Sequence, residues 1–221
     1  MNSLCLPSAA VRDRIGALAP DLALLADPVL WLDMTQIPDR AGEVVFWVPP
    51  FLHADTASAQ AAVAAMPELQ VIQTQSAGVD VILPAVPDGV LLCDARGVHG
   101  SSTSEWALTA ILSVLREFPR FERARANRHW DYGITEELAG QRVLIVGAGD
   151  VGQQLARRLT ACDAEPVFVA RTGRDGVHGL AELPDLLPSA DVVVLIVPKT
   201  TETVGMVDAD FLARMRDGAL L

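Results

Sequence analysis

The chain has 221 residues, room for one large domain or two small ones, and 51% of them are hydrophobic, which is enough to build a core and excludes a disordered protein. Lys and Arg number 17 against 28 Asp and Glu, a net charge of −11, so we expect neither nucleic acid nor a membrane surface as a partner. Three widely spaced cysteines, Cys5, Cys93 and Cys162, predict neither disulfides nor a metal site, and the lack of a membrane-spanning apolar run or a signal peptide predicts a cytoplasmic protein.

Short apolar runs alternate with helical patterns along the first part of the chain. Strands are predicted at residues 4–6, 29–32, 44–48, 69–72 and 90–93. Helices are predicted between some of these strands, at residues 9–18 and 57–66. Alternation of strands and helices is typical of an α/β fold, in which a parallel sheet is covered on both faces.

The longest predicted helix covers residues 103–117. Ser102 and Glu105 fit the S-x-x-E capping box that marks a helix N-terminus, and apolar residues then repeat at helical spacing. Pro119 interrupts this pattern, and an Arg-rich helix is predicted to follow through Arg128. The Arg-rich stretch is either a partner surface or a solvated charged helix, and the residues leave both interpretations open.

A second alternating block begins at Gln141. Its predicted strands are 142–146, 166–170 and 192–197, and its predicted helices are 151–162, 180–187 and 208–215. The boundary between the blocks lies near residues 95–99, which predicts one domain over 1–97 and another over 98–221. Because residues 219–221 resemble the start of a buried strand with no turn after it, we expect the sequence to be truncated.

A glycine-rich turn follows the first strand of the second block and fits the pattern G-x-G-x-x-G. Gly147 permits the tight turn, Gly149 lets the backbone approach a pyrophosphate, and Gly152 lets the helix pack closely on the strand. The pyrophosphate is expected at the helix N-terminus, where free N–H groups and the helix dipole favour an anion. The alternative is an ordinary strand–turn–helix connection. The cofactor-binding residues predicted in this turn are Gly147, Gly149, Asp150, Val151 and Gly152.

The end of the next strand bears on the choice of cofactor. A carboxylate at this place would bind the ribose hydroxyls and favour NAD, but none occurs before Asp175. Arg171 and Arg174 could instead hold a 2′-phosphate, with Thr172 donating a hydrogen bond. We therefore predict that NADP(H) is preferred, with NAD(H) as a second possibility. The alternative is that the two arginines are solvated on a loop.

Four short segments of the chain, taken in order, form a recognisable set. They are TQSAGVD at 74–80, SSTSEWAL at 101–108, the glycine-rich turn, and VPKTTET at 197–203 followed by MRDGALL at 215–221. In this order they resemble the D-isomer-specific 2-hydroxyacid dehydrogenases, a family that includes glyoxylate/hydroxypyruvate reductases and phosphoglycerate dehydrogenases. The resemblance implies a flavodoxin-like substrate domain over 1–97, followed by a Rossmann NAD(P)-binding domain over 98–221 that is incomplete at its C-terminal end.

The resemblance also implies roles for two loops. The backbone N–H groups of Ala77 and Gly78, with Ser76, would bind the substrate carboxylate, which a glycine-containing turn can do physically. The alternative at this place is a plain turn in which Asp80 caps the following helix. The residues that the resemblance adds to the cofactor site are Val197, Pro198 and Thr203.

The family transfers a hydride between a nicotinamide cofactor and a small 2-oxoacid or 2-hydroxyacid, using an Arg, a Glu and a His. The resemblance places all three after Leu221, so no catalytic residue is predicted in this chain, and related enzymes imply a homodimer. The first alternative is a non-catalytic dinucleotide-binding module. The second is an S-adenosylmethionine-dependent methyltransferase, which would prefer an acidic residue where Ala170 and Arg171 stand.

Overall fold

Two compact units divide the chain, residues 1–96 and residues 97–221. The computed structural model describes residues 3–22, 27–34, 36–51 and 55–221. Each unit contains a sheet of parallel strands, connected in part by helices, and the α/β class predicted from the alternating pattern is confirmed.

The first unit is built on a five-stranded parallel sheet in the order β2-β1-β3-β4-β5. This is the flavodoxin-like order, in which the chain starts in the interior of the sheet. Its elements are β1 Ser3–Leu6, α1 Ala9–Leu18, β2 Val29–Leu30, β3 Val44–Trp47, α2 Thr56–Ala64, β4 Val71–Gln73 and β5 Leu91–Cys93. Trp47 and Ile72 are fully buried in adjacent strands and share a core with Ala59 and Ala62 of α2.

The second unit begins with two helices and then builds a four-stranded parallel sheet in the order β8-β7-β6-β9. Its elements are α3 Gly100–Leu115, α4 Phe118–Ala126, β6 Arg142–Val146, α5 Asp150–Ala161, β7 Glu165–Ala170, β8 Val177–Gly179, α6 Leu183–Leu186, β9 Val192–Leu195 and α7 Ala209–Arg214. Because the chain moves from β6 to one side and later returns to the other, the carboxyl end of β6 is a topological switch point, where α/β sheets bind ligands.

Strand β6 separates the two core layers of the second unit. Successive side chains of a strand point to opposite faces. Val143 and Ile145 accordingly pack with residues of α3 and α5, whereas Leu144 and Val146 pack on the other face, in a cluster that includes Phe211. Burial on both faces explains why this strand reads as a continuous apolar run.

The predicted capping box of the long helix is wrong. Helix α3 begins at Gly100 rather than at residue 103, its N-cap is His99, and no side chain makes a capping hydrogen bond. Ser102 lies inside the first turn, where its hydroxyl donates to the carbonyl oxygen of His99, and Glu105 is exposed. A Cβ at Gly100 would collide with the carboxylate of Asp150, so glycine at the first position of α3 allows this helix to pack closely against α5.

Other predicted elements also differ from the structure. The predicted helix at 180–187 is a chain of short helical turns over 180–189, interrupted by prolines. The strand predicted at 192–197 ends at Leu195, and strand β8 was not predicted. Residues 219–221 form only a parallel bridge between Leu220 and Val192. Within the described ranges, no helix is both long and apolar enough to cross a membrane.

Candidate functional site

The glycine-rich turn joins β6 to α5 at the carboxyl edge of the second sheet. Gly147 has a φ of +126°, a conformation that side chains rarely adopt, and its N–H donates to the carbonyl oxygen of Val169 at 2.8 Å. A Cβ at Gly147 would also collide with the carbonyl oxygen of Ile196. Glycine is therefore required at this position by its conformation and by its packing.

The other two glycines of the turn have different surroundings. A Cβ at Gly152 would collide with the carbonyl oxygen of Gly147, so helix α5 packs directly on the turn. Gly149, the N-cap of α5, has nothing within 4 Å of the place its Cβ would occupy. Packing within the second unit therefore requires glycine at position 152, whereas Gly149 faces open space.

Helix α5 presents free backbone donors beside that space. The N-cap glycine has no side chain that could satisfy them, and the first bond from a helical N–H to the turn runs from Gln153 to Gly149 at 2.9 Å. The N–H groups of Asp150, Val151 and Gly152 are therefore unpaired in the described part of the chain. Together with the helix dipole they form an anion-binding end.

The side chain of Asp150 does not contribute to this anion site. Its carboxylate accepts hydrogen bonds from the Gln154 amide at 3.1 and 3.2 Å and faces Gly100 of α3. A carboxylate in the first turn stabilises a helix through its dipole. Asp150, predicted from the sequence as a cofactor-binding residue, can therefore bind an anion only through its backbone N–H.

Two exposed arginines lie on the loop between β7 and β8. Arg174 and Val177 exchange backbone hydrogen bonds at 2.9 and 2.8 Å, which makes a tight hairpin with Gly176 at a φ of +71°. Nη2 of Arg174 reaches the carbonyl oxygen of Ala148 in the glycine-rich turn, at 3.4 Å. Arg171 forms no ion pair in the described residues, so this loop presents cationic groups beside the turn.

A carboxylate near this loop is already engaged. Glu182 accepts a hydrogen bond from the Gly179 N–H at 2.7 Å and contacts Nδ1 of His178 at 2.7 Å. The hydrogen bond with His178, helped by the Gly179 N–H, lowers the pKa of Glu182 below its ordinary value. This pair was not predicted, although the sequence has a His and a Glu four residues apart beside a glycine.

The loop after β9 holds its own shape. The hydroxyl of Thr203 accepts the N–H of Thr200 at 2.8 Å and donates to the carbonyl oxygen of Pro198 at 2.6 Å. Thr203 is thereby engaged within the loop, while Val197 is half-buried at its start. Lys199, the sole lysine of the sequence, is exposed on the same loop.

A second set of backbone donors lies in the first unit, at the carboxyl end of β4. The hydroxyl of Ser76 donates to the carbonyl oxygen of Gly78 at 2.8 Å, and Ala77 and Gly78 are exposed. The N–H groups of Ser76, Ala77 and Gly78 have no acceptor among the described residues. The three donors belong to consecutive residues, an arrangement suited to a carboxylate.

Other reactive groups are sparse in the described ranges. They contain no group of three or more His, Cys, Asp or Glu that could hold a metal ion. Cys5 is buried, and burial raises the pKa of its thiol to about 12, which suppresses the reactive thiolate.

A family model matches most of the second unit, and relatives match nearly the whole chain. Residues 108–221 match the family model described as D-isomer specific 2-hydroxyacid dehydrogenase, NAD binding domain. D-3-phosphoglycerate dehydrogenase from Mycobacterium tuberculosis is 30% identical over 99% of this chain and 43% of its own length. The chain thus spans less than half the length of this curated relative.

Two solved structures have similar architecture over nearly the whole chain. One is a D-isomer specific 2-hydroxyacid dehydrogenase from Xanthobacter autotrophicus in complex with NADPH and MES, with a TM-score of 0.76 and 26% identity, covering 99% of this chain and 70% of that one. The other is an NADPH-dependent glyoxylate/hydroxypyruvate reductase from Sinorhizobium meliloti in complex with NADP and sulfate, with a TM-score of 0.76 and 25% identity, covering 98% and 68%.

Proposed function

Because the chain belongs to the D-isomer-specific 2-hydroxyacid dehydrogenase family, we propose that the protein transfers a hydride between a nicotinamide cofactor and a small 2-oxoacid or 2-hydroxyacid. The glycine-rich turn carries this proposal, since it presents the free donors of α5 at a switch point of the sheet. The second unit is then the cofactor domain and the first unit the substrate domain.

The residues of the turn fit a bound dinucleotide. The pyrophosphate would lie on the N–H groups of Asp150, Val151 and Gly152, in the space that Gly149 leaves open. Gly147 and the half-buried start of the loop after β9 lie at the carboxyl edge of the second sheet, where the nicotinamide half of the cofactor would bind. Val197 and Pro198 would line that side, and Thr203 would hold their loop in place. The nicotinamide ring, when bound, supplies or accepts the hydride.

We propose that NADP(H) is preferred over NAD(H). Arg171, Thr172 and Arg174 follow β7 without a carboxylate until Asp175, and the guanidinium of Arg174 already lies beside the turn. Guanidinium groups bind phosphate oxygens strongly, whereas an NAD site places a carboxylate against the ribose.

For the substrate, we propose that its carboxylate binds the N–H groups of Ser76, Ala77 and Gly78. Unpaired donors at the carboxyl end of a parallel strand are the support for this assignment. All 2-oxoacids share the carboxylate, so this turn would anchor glyoxylate, hydroxypyruvate and larger substrates alike.

The proposed activity is tested with the purified full-length gene product. We expect NADPH absorbance to fall only when glyoxylate, hydroxypyruvate or a larger 2-oxoacid is added, and to rise with NADP and the matching 2-hydroxyacid. Tight NADPH binding with no turnover on any 2-oxoacid would instead favour the non-catalytic dinucleotide-binding module. Binding of S-adenosylmethionine in place of NADPH would contradict both.

We further propose that the protein is a homodimer joined through the second unit. Residues 129–137, here called the arm, lie outside helices and strands and expose Trp130, Tyr132 and Ile134 to 87%, 80% and 93%. Arg120 holds the arm by donating from Nε and Nη2 to both carboxylate oxygens of Asp131 at 2.7 Å, and this guanidinium lowers the pKa of the Asp131 carboxyl. Large apolar side chains held so far into solvent are typical of a protein interface.

Replacing Trp130 and Tyr132 together with alanine is expected to weaken self-association by about 30-fold or more, since buried aromatic anchors contribute most to interface affinity. Sedimentation equilibrium measures the dimer dissociation constant. Leu18→Ala, an exposed apolar residue of the first unit, serves as the control and is expected to leave that constant unchanged. A monomeric wild type, or equal association in all variants, would contradict the proposed interface.

A further inference from the structure

A group of buried hydrogen bonds lies beneath the turn at residues 76–78. Thr74 is only 4% exposed, and its hydroxyl donates to the carbonyl oxygen of Ser76 at 2.7 Å. The amide of Gln73 donates to the carbonyl oxygens of Thr74 at 2.9 Å and Asp94 at 3.1 Å. These two side chains therefore hold backbone carbonyls and do not face a ligand themselves.

The same carbonyl oxygen of Ser76 accepts a second bond. The N–H of Ala95, in the segment that follows β5, donates to it at 3.1 Å, while the N–H of Thr74 donates to Cys93 at 2.9 Å. Backbone hydrogen bonds thus attach the turn to the end of β5 and the segment after it, and the Thr74 side chain adds a further bond within the turn. On its other side, the amide of Gln75 donates to the carbonyl oxygen of Pro49 at 2.8 Å.

The planarity of the peptide bond links these contacts to the free donors. The carbonyl of Ser76 and the N–H of Ala77 belong to one rigid trans peptide group, so they point in opposite directions. Any contact that fixes the direction of the Ser76 oxygen therefore also fixes the direction of the Ala77 N–H. Two hydrogen bonds draw that oxygen toward the strand, which turns the Ala77 N–H outward.

We infer that Thr74 is a positioning residue for the carboxylate of the substrate, an inference that rests on the proposed function of the 76–78 turn. Its hydroxyl orients the Ser76–Ala77 peptide before the substrate arrives, so that the anion meets a donor already aimed at it. Gln73 supports this arrangement by holding the carbonyl of Thr74 itself. Preorganised donors bind an anion more tightly because no ordering cost remains to be met on binding.

Thr74→Val tests the inference, because valine keeps the shape of threonine and removes only the hydroxyl. In the full-length gene product we expect the KM for glyoxylate to rise about fivefold to tenfold, the net effect of one lost hydrogen bond. The KM for NADPH is expected to stay unchanged and kcat to change by less than about twofold, as for an interaction felt equally in the ground and transition states. Thr74→Ser, which keeps the hydroxyl, is expected to restore the wild-type KM.

Ser3→Ala provides the matched control. Ser3 is 3% exposed in β1 of the same sheet, and its hydroxyl also donates to a backbone carbonyl, that of Leu4. Removing a buried hydroxyl there is expected to lower the melting temperature without altering the KM for glyoxylate. A purely structural role of Thr74 would give the same result for Thr74→Val, and that result would overturn the inference.

A binding measurement separates this inference from the proposed activity. Oxamate, a 2-oxoacid analogue, is titrated into ¹⁵N-labelled protein while the amide signal of Ala77 is followed. We expect that signal to shift in the wild type and in Thr74→Ser, and to shift only at about fivefold to tenfold higher oxamate in Thr74→Val. An Ala77 signal that ignores oxamate overturns the positioning role, whereas a shifted signal without turnover overturns only the proposed activity. Should Thr74→Val fail to fold, Gln73→Met removes the supporting amide and is expected to raise the same KM, and an unchanged KM would count against the inference.

Discussion

Gly147→Ala is expected to abolish dinucleotide binding and to lower the melting temperature by about 5–15 °C. This is the largest loss of stability that we predict for any variant of the second unit. The native φ of +126° at Gly147 would be strained for alanine, and the added Cβ would collide with the carbonyl oxygen of Ile196; each effect costs about 1–3 kcal/mol. Calorimetry and the fluorescence of bound NADPH measure the two effects separately.

Gly149→Ala distinguishes packing from ligand contact. Its Cβ meets nothing within 4 Å and its φ of −83° suits alanine, so the melting temperature is expected to stay within about 2 °C of the wild type. NADPH affinity is nevertheless expected to fall at least about tenfold, because the methyl group would occupy space proposed for the pyrophosphate. Gly140→Ala, at a φ of +75° with open space around the added Cβ, is the strain control for Gly147→Ala and is expected to lower the melting temperature without changing NADPH affinity. Unchanged NADPH affinity in Gly149→Ala would refute the placement of the pyrophosphate.

Replacing Arg171 and Arg174 together with alanine is expected to weaken NADPH binding by about 100-fold and NADH binding by less than about threefold. Two charge-assisted contacts to a 2′-phosphate account for this size after allowance for solvent screening on an exposed loop. Titration of each cofactor at low and at physiological salt measures the difference, and the NADPH loss should shrink as salt rises.

The control for this pair is Arg214→Ala, which removes an exposed arginine that pairs with Asp210 on α7. It is expected to leave the affinities for both cofactors unchanged, although it removes one positive charge, as does each substitution of the double variant. Parallel losses of NADH and NADPH affinity in the double variant would show that the arginines act on something other than a 2′-phosphate, and the proposed preference would fall.

The local sequence pattern was sufficient to predict strand β6 and the glycine-rich turn that follows it. The run of apolar residues in β6 and the three glycines after it form a recognisable pattern within about ten residues, and the strand and turn lie where the sequence predicts them. The predicted order of strands and helices also implied parallel sheets, since short crossovers of this kind allow little else.

Contacts between distant segments account for what the sequence did not predict. Gly100, the first residue of α3, lies close to Asp150, fifty residues later, and no local pattern contains that contact. Thr74 looked like one more residue of a substrate loop, yet its partners include Cys93 and its neighbour Gln73 reaches Asp94. The backbone carbonyl of any residue can accept such a bond, so the residue types in the sequence do not indicate which carbonyls are bonded.

The sole lysine offers a practical route to the cofactor edge. Lys199 is exposed on the loop after β9, so a protease specific for lysine cuts this sequence at one bond only. A dinucleotide bound as proposed would shield this bond, so the rate at which the intact band disappears on a gel would report cofactor occupancy. Within these 221 residues the same amine is also the single lysine side chain that a fluorescent label can modify.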